Sequence, residues 1–243
     1  MSNIHGPNVV TNGIVACWDA GSRASYPGAG TAITDLAAVD GGVSNGTLTN
    51  GPTFDSANLG SIDFDGTNDL IDVGNGGKPQ ITSVITLAAW YRTDTDSNGT
   101  MVAKWSGGER AYKMRINGGQ MQTLFSSDGS TNTVTLTDPS TSNDNVWHYA
   151  VATNDGSGGA NTALLYVDGI LVDSETGTAT IHDSSVDVHI GNQDQVSNPT
   201  SYEGLIAHVA IYNVVVPIII YIIKSVGQFR FIDRSIRLRC GKI

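Results

Sequence analysis

Apolar and polar residues alternate with a period of two over many short runs of this chain, and nowhere do they hold a helical period over a usable length. In VITLAAWYR (84–92), Ile85, Leu87 and Ala89 fall on one face. In SIDFDGTNDLIDV (61–73), Ile62 and Phe64 alternate with Ser61, Asp63 and Asp65, and Ile71 and Val73 alternate with Leu70 and Asp72. Alternation of this kind is what a strand with one buried face requires. NGIVACW (12–18), GTLTNGPTF (46–54), TMVAKW (100–105), AYKMRING (111–118), QMQTLFSS (120–127) and TVTLT (133–137) read the same way. So do VWHYAVATND (146–155), TALLYVDGILVDS (162–174), SVDVHIGN (185–192) and YEGLIAHVAIYN (202–213). Asn117-Gly118 and Asp168-Gly169 lie between apolar runs, where a tight hairpin turn needs residues that accept positive φ. Gly66 to Asp69 reads as the turn of a hairpin made by the stretch 61–73. About a dozen short strands separated by turns predict an all-β antiparallel sandwich.

Composition supports this and narrows the function. The chain has 243 residues, 29 of them glycine, with 15% charged and 40% hydrophobic side chains. That suits one large β domain or two small ones, rich in turns. Residues 1–213 hold seven basic side chains against 22 acidic ones, whereas residues 214–243 hold six basic ones against Asp233 alone. An acidic body repels phosphates, so nucleic acid is not an expected partner; cations and neutral polyols are compatible with it. VVVPIIIYII (214–223) is ten residues long and contains Pro217, too short to span a bilayer. Neither it nor any other run predicts a membrane partner.

The words SIDFDGTNDLIDV, ITLAAWYR, VWHYAVATND, ALLYVDGILV, VHIGN and YEGLIAHVAIYN, in this order over residues 61–213, resemble the concanavalin A-like lectin/glucanase superfamily. The likeness is to its laminin G-like and pentraxin-like jelly rolls. It implies a jelly-roll β-sandwich at 61–213, preceded by lead-in strands and loops at 1–60 that pack on it. The lead-in, GIVACWDAGSRASYPGAGT through NGTLTNGPTFDSANLGSIDFDGTND, is similar to those on phage and marine bacterial surface proteins. That resemblance implies a place on a virion surface, as a capsid decoration or fibre protein, with other virion proteins as partners and room for a homo-oligomer. After IYN the chain departs from the family. The apolar, basic segment 214–243 reads either as an attachment segment for a virion partner or as a shifted reading frame.

Glucanases of this superfamily use paired carboxylates in a motif resembling E-x-D-x-x-E, and retaining chemistry needs two carboxyls about 5 Å apart. The three glutamates here, Glu109, Glu175 and Glu203, sit in no such motif. Asp63 and Asp65 share a strand face but have nothing else of it. No H-x-x-x-H or C-x-x-C occurs, and the single G-x-S-x-G, GVSNG at 42–46, lies in a turn-rich stretch with no helical pattern after it, so no catalytic residue is assigned and the expected protein is not an enzyme. His148, inside a strand, reads as a satisfied structural side chain. Calcium is the cofactor to consider. The resemblance to pentraxin-like domains puts ligands at Asn192, Gln193 and Asp194 in IGNQDQ, with Glu109 and Glu203 in neighbouring loops. An alternative set is Asp65, Asn68 and Asp69 in the first turn, where calcium would compete with a plain turn. Glycan binding usually needs an aromatic platform beside amide and carboxylate groups, and Trp105, Tyr112 and Tyr202 lie near predicted strand ends. Trp18, Trp90, Trp147 and Tyr166 read as core. The expected function is a non-catalytic virion surface module that adheres to glycans of a cell surface or polymer. A ligand-free structural cement or fibre and a glycoside hydrolase are the alternatives.

Overall fold

The computed structural model describes residues 11–37, 42–76, 79–193 and 200–217. Within them sixteen strands, numbered in chain order, form two sheets of eight, and every strand pair is antiparallel. The first sheet runs β14 (Ile170–Glu175), β13 (Ala163–Val167), β12 (His148–Asn154), β7 (Ile85–Arg92), β16 (Glu203–Tyr212), β5 (Ser61–Asp65), β4 (Thr53–Asp55). β1 (Ile14–Asp19) joins β16 along its second half, next to where β5 holds the first half. The second sheet runs β11 (Val134–Thr141), β10 (Gln120–Phe125), β9 (Tyr112–Asn117), β8 (Gly99–Lys104), β15 (Val188–Ile190), β6 (Leu70–Gly74), β3 (Gly46–Thr49), β2 (Ala32–Ile33). A 3-10 turn at Ala57–Leu59 is the one helical element among the described residues. The strand number exceeds the dozen expected in part because β2 and β4 have two and three residues, too few to show a period.

The inward residues of both sheets, among them Trp18, Phe64, Leu87, Tyr91, Met114 and Ile206, meet in a single apolar core. Ile85, Leu87 and Ala89 share that face, as their spacing predicts. The lead-in does more than pack on the sandwich: β1, β3 and β4 all fall within residues 1–60 and supply strands to both sheets. Of the segment 214–243, only 214–217 is described. It docks on β7, where the Thr86 hydroxyl donates to the Val214 carbonyl (2.7 Å) and accepts from the Val216 amide (3.2 Å). The two readings of this segment turn on residues that lie outside those described.

The stretch 61–73 is not a hairpin. β5 pairs with β4 and β16 in one sheet, and β6 pairs with β3 and β15 in the other. Its turn is an arch that carries the chain across the sandwich. Alternation reports which face of a strand is buried, and partners in a hairpin and partners across a core bury the same kind of face. Asp69 Oδ2 accepts from the Asp65 amide (3.1 Å), and Asp65 Oδ1 accepts from the Thr67 amide (2.8 Å). The Gly66 amide, at φ 75°, donates away from the turn to the Tyr202 carbonyl (3.1 Å). The other turn signals hold more closely. Asp168 (φ 51°) and Gly169 (φ 79°) join β13 to β14 as a two-residue turn. Between β9 and β10 the central pair is Gly118-Gly119 (φ 60° and 78°), one place beyond Asn117-Gly118, because Asn117 pairs with Gln120.

Trp18 is core, as expected, and its indole N–H donates to the Ser44 carbonyl (2.7 Å). Trp90 is buried as well, on the outer side of β7, where it stacks on Tyr149 with ring centroids 5.0 Å apart; Trp147 and Tyr166 are half-buried. His148 is held between two carboxylates, Nδ1 to Asp168 Oδ2 (2.8 Å) and Nε2 to Asp144 Oδ1 (3.0 Å). Burial opposes its protonation, but the bonds to Asp168 and Asp144 outweigh burial and its pKa is raised. Its stabilisation is therefore complete below the unfolded-state pKa and is lost as pH rises through the folded-state value. His148→Leu is expected to lower stability by about 1 kcal/mol at pH 5.5 and by less at pH 9. Urea titrations at the two pH values measure this; an equal loss at both would assign the histidine to packing alone.

Candidate functional site

In β9, YKMRIN, the side chains of Tyr112, Met114 and Ile116 enter the core, so Lys113 and Arg115 stand on the outer face of the second sheet. Register then fixes their neighbours. Lys113 lies between Ala103 on β8 and Leu124 on β10, and Arg115 lies beside Gln122. Ala103, Leu124 and Trp105 form a small apolar cluster on this outer face. Trp105 follows directly on β8 and is 5% exposed. The Lys113 ammonium sits over its ring at 4.8 Å from the centroid, and the Arg110 guanidinium sits at 5.7 Å.

Amides rather than acids hold these cations. Lys113 Nζ donates to Gln193 Oε1 (3.0 Å). Arg115 donates through Nε (2.8 Å) and Nη2 (2.6 Å) to Gln122 Oε1, and Gln122 Nε2 donates on to Thr137 Oγ1 (3.0 Å). Arg110 Nη1 donates to Asn132 Oδ1 (3.2 Å), while its Nε is buried without a partner. Among the described residues every ion pair involves a histidine, so no carboxylate answers Lys113, Arg110 or Arg115. Lys113 is 5% exposed. Burial pulls its pKa down to about 7, assisted by the like charges of Arg115 and Arg110. Burial also lowers the pKa of Arg115. An indole, three cations and two amides thus share one face, able to donate hydrogen bonds, with the indole ring lying against Lys113 and Arg110.

The expected ligand residues are distributed differently. Of the three aromatic candidates only Trp105 stands on this face. Tyr112 is fully buried and donates its hydroxyl to the Pro79 carbonyl (2.9 Å); Tyr202 is 1% exposed, donates to the Arg92 carbonyl (3.0 Å) and packs edge-on against Phe64. Both rings belong to the core and offer no platform. The alternation of YKMRIN places Tyr112 with Met114 and Ile116, a signal outweighed in the sequence reading by its position at a strand end.

The calcium candidates fall into separate places. Glu109, in the β8–β9 loop, accepts from the Ser185 amide (2.9 Å) and pairs with His182 Nε2 (3.3 Å), and the Ser185 bond leads in holding its pKa below the usual carboxylate value. It lies at the Lys104–Val188 end of the β8–β15 pair, and Asn192 lies beyond the other end. Asn192 Oδ1 accepts from the Gln193 amide (2.8 Å) and its Nδ2 donates to Ser201 Oγ (3.0 Å). Glu203 is in the first sheet, against Gly66. Asp194 lies outside the described residues. In the alternative set, the carboxylates of Asp65 and Asp69 accept backbone amides of the arch, and the Asn68 carbonyl accepts from Asn50 Nδ2 (2.9 Å). Burial raises the pKa of Asp69. A triad that the sequence does not signal, Asp72, Asp187 and His189, brings one ligand atom each within 4.8 Å on the outer face.

Sequence reasoning missed Arg110, Lys113, Arg115 and Gln122 altogether. One signal was available: four of the seven basic side chains of residues 1–213 fall between Lys104 and Arg115.

The chain belongs to the concanavalin A-like lectin/glucanases superfamily, whose laminin G model matches residues 65–217. No curated protein sequence matches it. Among solved structures it is similar to the binding domain of Paraclostridial mosquitocidal protein 1, with TM-score 0.61 and 13% identity over 86% of this chain and 50% of that one. It is similar to the binding domain of botulinum neurotoxin DC in complex with SialylT, with TM-score 0.60 and 9% identity over 86% and 49%. A third likeness is to Trypanosoma rangeli sialidase in complex with sialic acid, with TM-score 0.58 and 15% identity over 85% and 31%. At such identities the likeness is one of fold, and the chain spans about half the length of the two binding domains.

Proposed function

We propose that this protein is a non-catalytic glycan-binding module whose ligand lies on the outer face of the second sheet, around Trp105. The observation that carries this reading is the gathering of an indole, amide groups and unanswered cationic donors on one face of a rigid sandwich. The fold supports it: two structures of the same fold were solved with SialylT and with sialic acid bound. A hydrolase reading lacks its E-x-D-x-x-E motif, and the close carboxylates of Asp72 and Asp187 belong to the His189 triad, outside any such motif. Asp63 and Asp65 flank Phe64 on the exposed side of β5, and burial, with Asp55 and Asp65 nearby, raises the Asp63 pKa. Neither residue lines a cleft with the indole. The likeness of the lead-in to those of phage surface proteins supports display of the module on a virion, with residues 214–243 as its attachment to a virion partner. Antibody against the chain should then decorate intact particles.

The binding experiment is a glycan panel read with the wild-type chain and with Trp105→Ala. The expected result is binding to a restricted set of glycans and a loss of roughly tenfold or more in affinity without the indole. Unchanged binding by Trp105→Ala would move the site elsewhere, and binding to no glycan would leave the ligand-free structural role as the reading.

A further inference from the structure

We infer that the ligand carries an anionic group, a carboxylate or a sulfate ester on an otherwise neutral sugar, and that Lys113, Arg115 and Arg110 receive it beside Trp105. The inference rests on the glycan reading above and specifies its chemical class.

Three observations carry it. The first is the isolation of the cations. A buried ammonium ordinarily has a carboxylate beside it, because leaving water without a counter-charge is costly. Among the described residues Lys113 has Gln193, and its charged neighbours are two guanidiniums. This occurs in a body where acids outnumber bases by 22 to seven, so the lack of a carboxylate partner among the described residues does not reflect a shortage of acids. The second is unused donor capacity. Gln193 takes one of the three ammonium protons, Gln122 takes the Nε and Nη2 donors of Arg115 and leaves Nη1, and Arg110 Nε is buried and unbonded. The third is preorganisation. The chain Arg115–Gln122–Thr137 fixes one guanidinium, Asn132 holds the other, and the indole lies beneath Lys113 and Arg110.

The surroundings set the class of anion. Asp72 and Asp187 stand on the same sheet beside His189, and the acidic body repels any extended polyanion. A single charge on a neutral chain can enter the cluster without facing that field repeatedly. Nucleic acid and heavily sulfated polymers are excluded on the same ground.

The test uses the full chain on a panel of matched neutral, sialylated and sulfated glycans, with Lys113→Met and Arg115→Gln as variants. Lys113→Met replaces a buried unpaired charge by an apolar chain of similar length and is expected to fold; Arg115→Gln, at a half-buried site, is the second variant. The expected result is a preference of roughly tenfold or more for acidic members of each matched pair in the wild type, removed by either variant so that the acidic and neutral members of a pair then bind alike. Equal binding of neutral and acidic members, or a preference that survives both variants, would overturn the anionic inference and leave glycan adhesion standing. Binding to no member would overturn both.

Discussion

Phe64→Ala is expected to destabilise the protein by about 3–5 kcal/mol, the largest loss of any single truncation considered. Phe64 is buried one residue from the end of β5, edge-on to Tyr202 at a centroid distance of 6.3 Å. Its other side covers Gly191, at φ 86°, where an added methyl would overlap the ring. The ring therefore fills the space between the first sheet and the chain leaving β15. Removing it opens a cavity that the backbone at Gly191 has no side chain to refill. Chemical denaturation measures the loss, and a cost below about 1.5 kcal/mol would mean that the two sheets close on the gap. Gly191→Ala in the wild-type background should also destabilise, and the two changes together should cost less than their sum, because each disrupts the same contact.

Gly204→Ala is expected to cost roughly 3 kcal/mol or more. Gly204 pairs with Phe64 at the start of β16 and holds φ 127°, where side chains are strained. A Cβ there would overlap the Arg92 carbonyl oxygen and come within 3.2 Å of Thr93 Cα, neither of which can swing aside as a side chain would. The same few residues are tied by further bonds: the Tyr202 hydroxyl donates to the Arg92 carbonyl, and the Thr93 hydroxyl donates to the Glu203 carbonyl (2.7 Å). A displaced β16 would lose its register with β5 and β7 together. Thermal unfolding of the variant checks this, and a melting temperature equal to that of the wild type would show that the strand can shift without loss.

Much of this architecture could be read from residue alternation. ITLAAWYR, YKMRIN and ALLYV each put every second side chain into the core, and Asp168-Gly169 forms the turn its composition demands. What alternation does not encode is the partner of each strand. That is why SIDFDGTNDLIDV resembles a hairpin in sequence and is an arch in the structure. The binding face was illegible for the same reason. Lys113 and Arg115 declare themselves outward-facing along β9, but their contacts with Gln122 and Gln193 come from register across β10 and from the end of β15, 80 residues away in the case of Gln193. Tyr202 was misjudged because a residue just before a strand gives no periodic signal, and only docking across the sheets buries it.

The pairing of β1 with β16 has a consequence for biosynthesis. Cys17 meets Ala210 and Asp19 meets His208, so the first described strand waits for the last described one. During translation β1, β5 and β7 all keep an open edge until β16 leaves the ribosome and lies down between them. The second sheet, built largely from neighbouring hairpins, has partners much sooner. Nascent chains should thus pass through a half-assembled form with three vacant ladders, slow to complete because its closing contacts span most of the sequence. In that interval the growing polypeptide is at its most vulnerable to stray strand addition and in greatest need of chaperone cover.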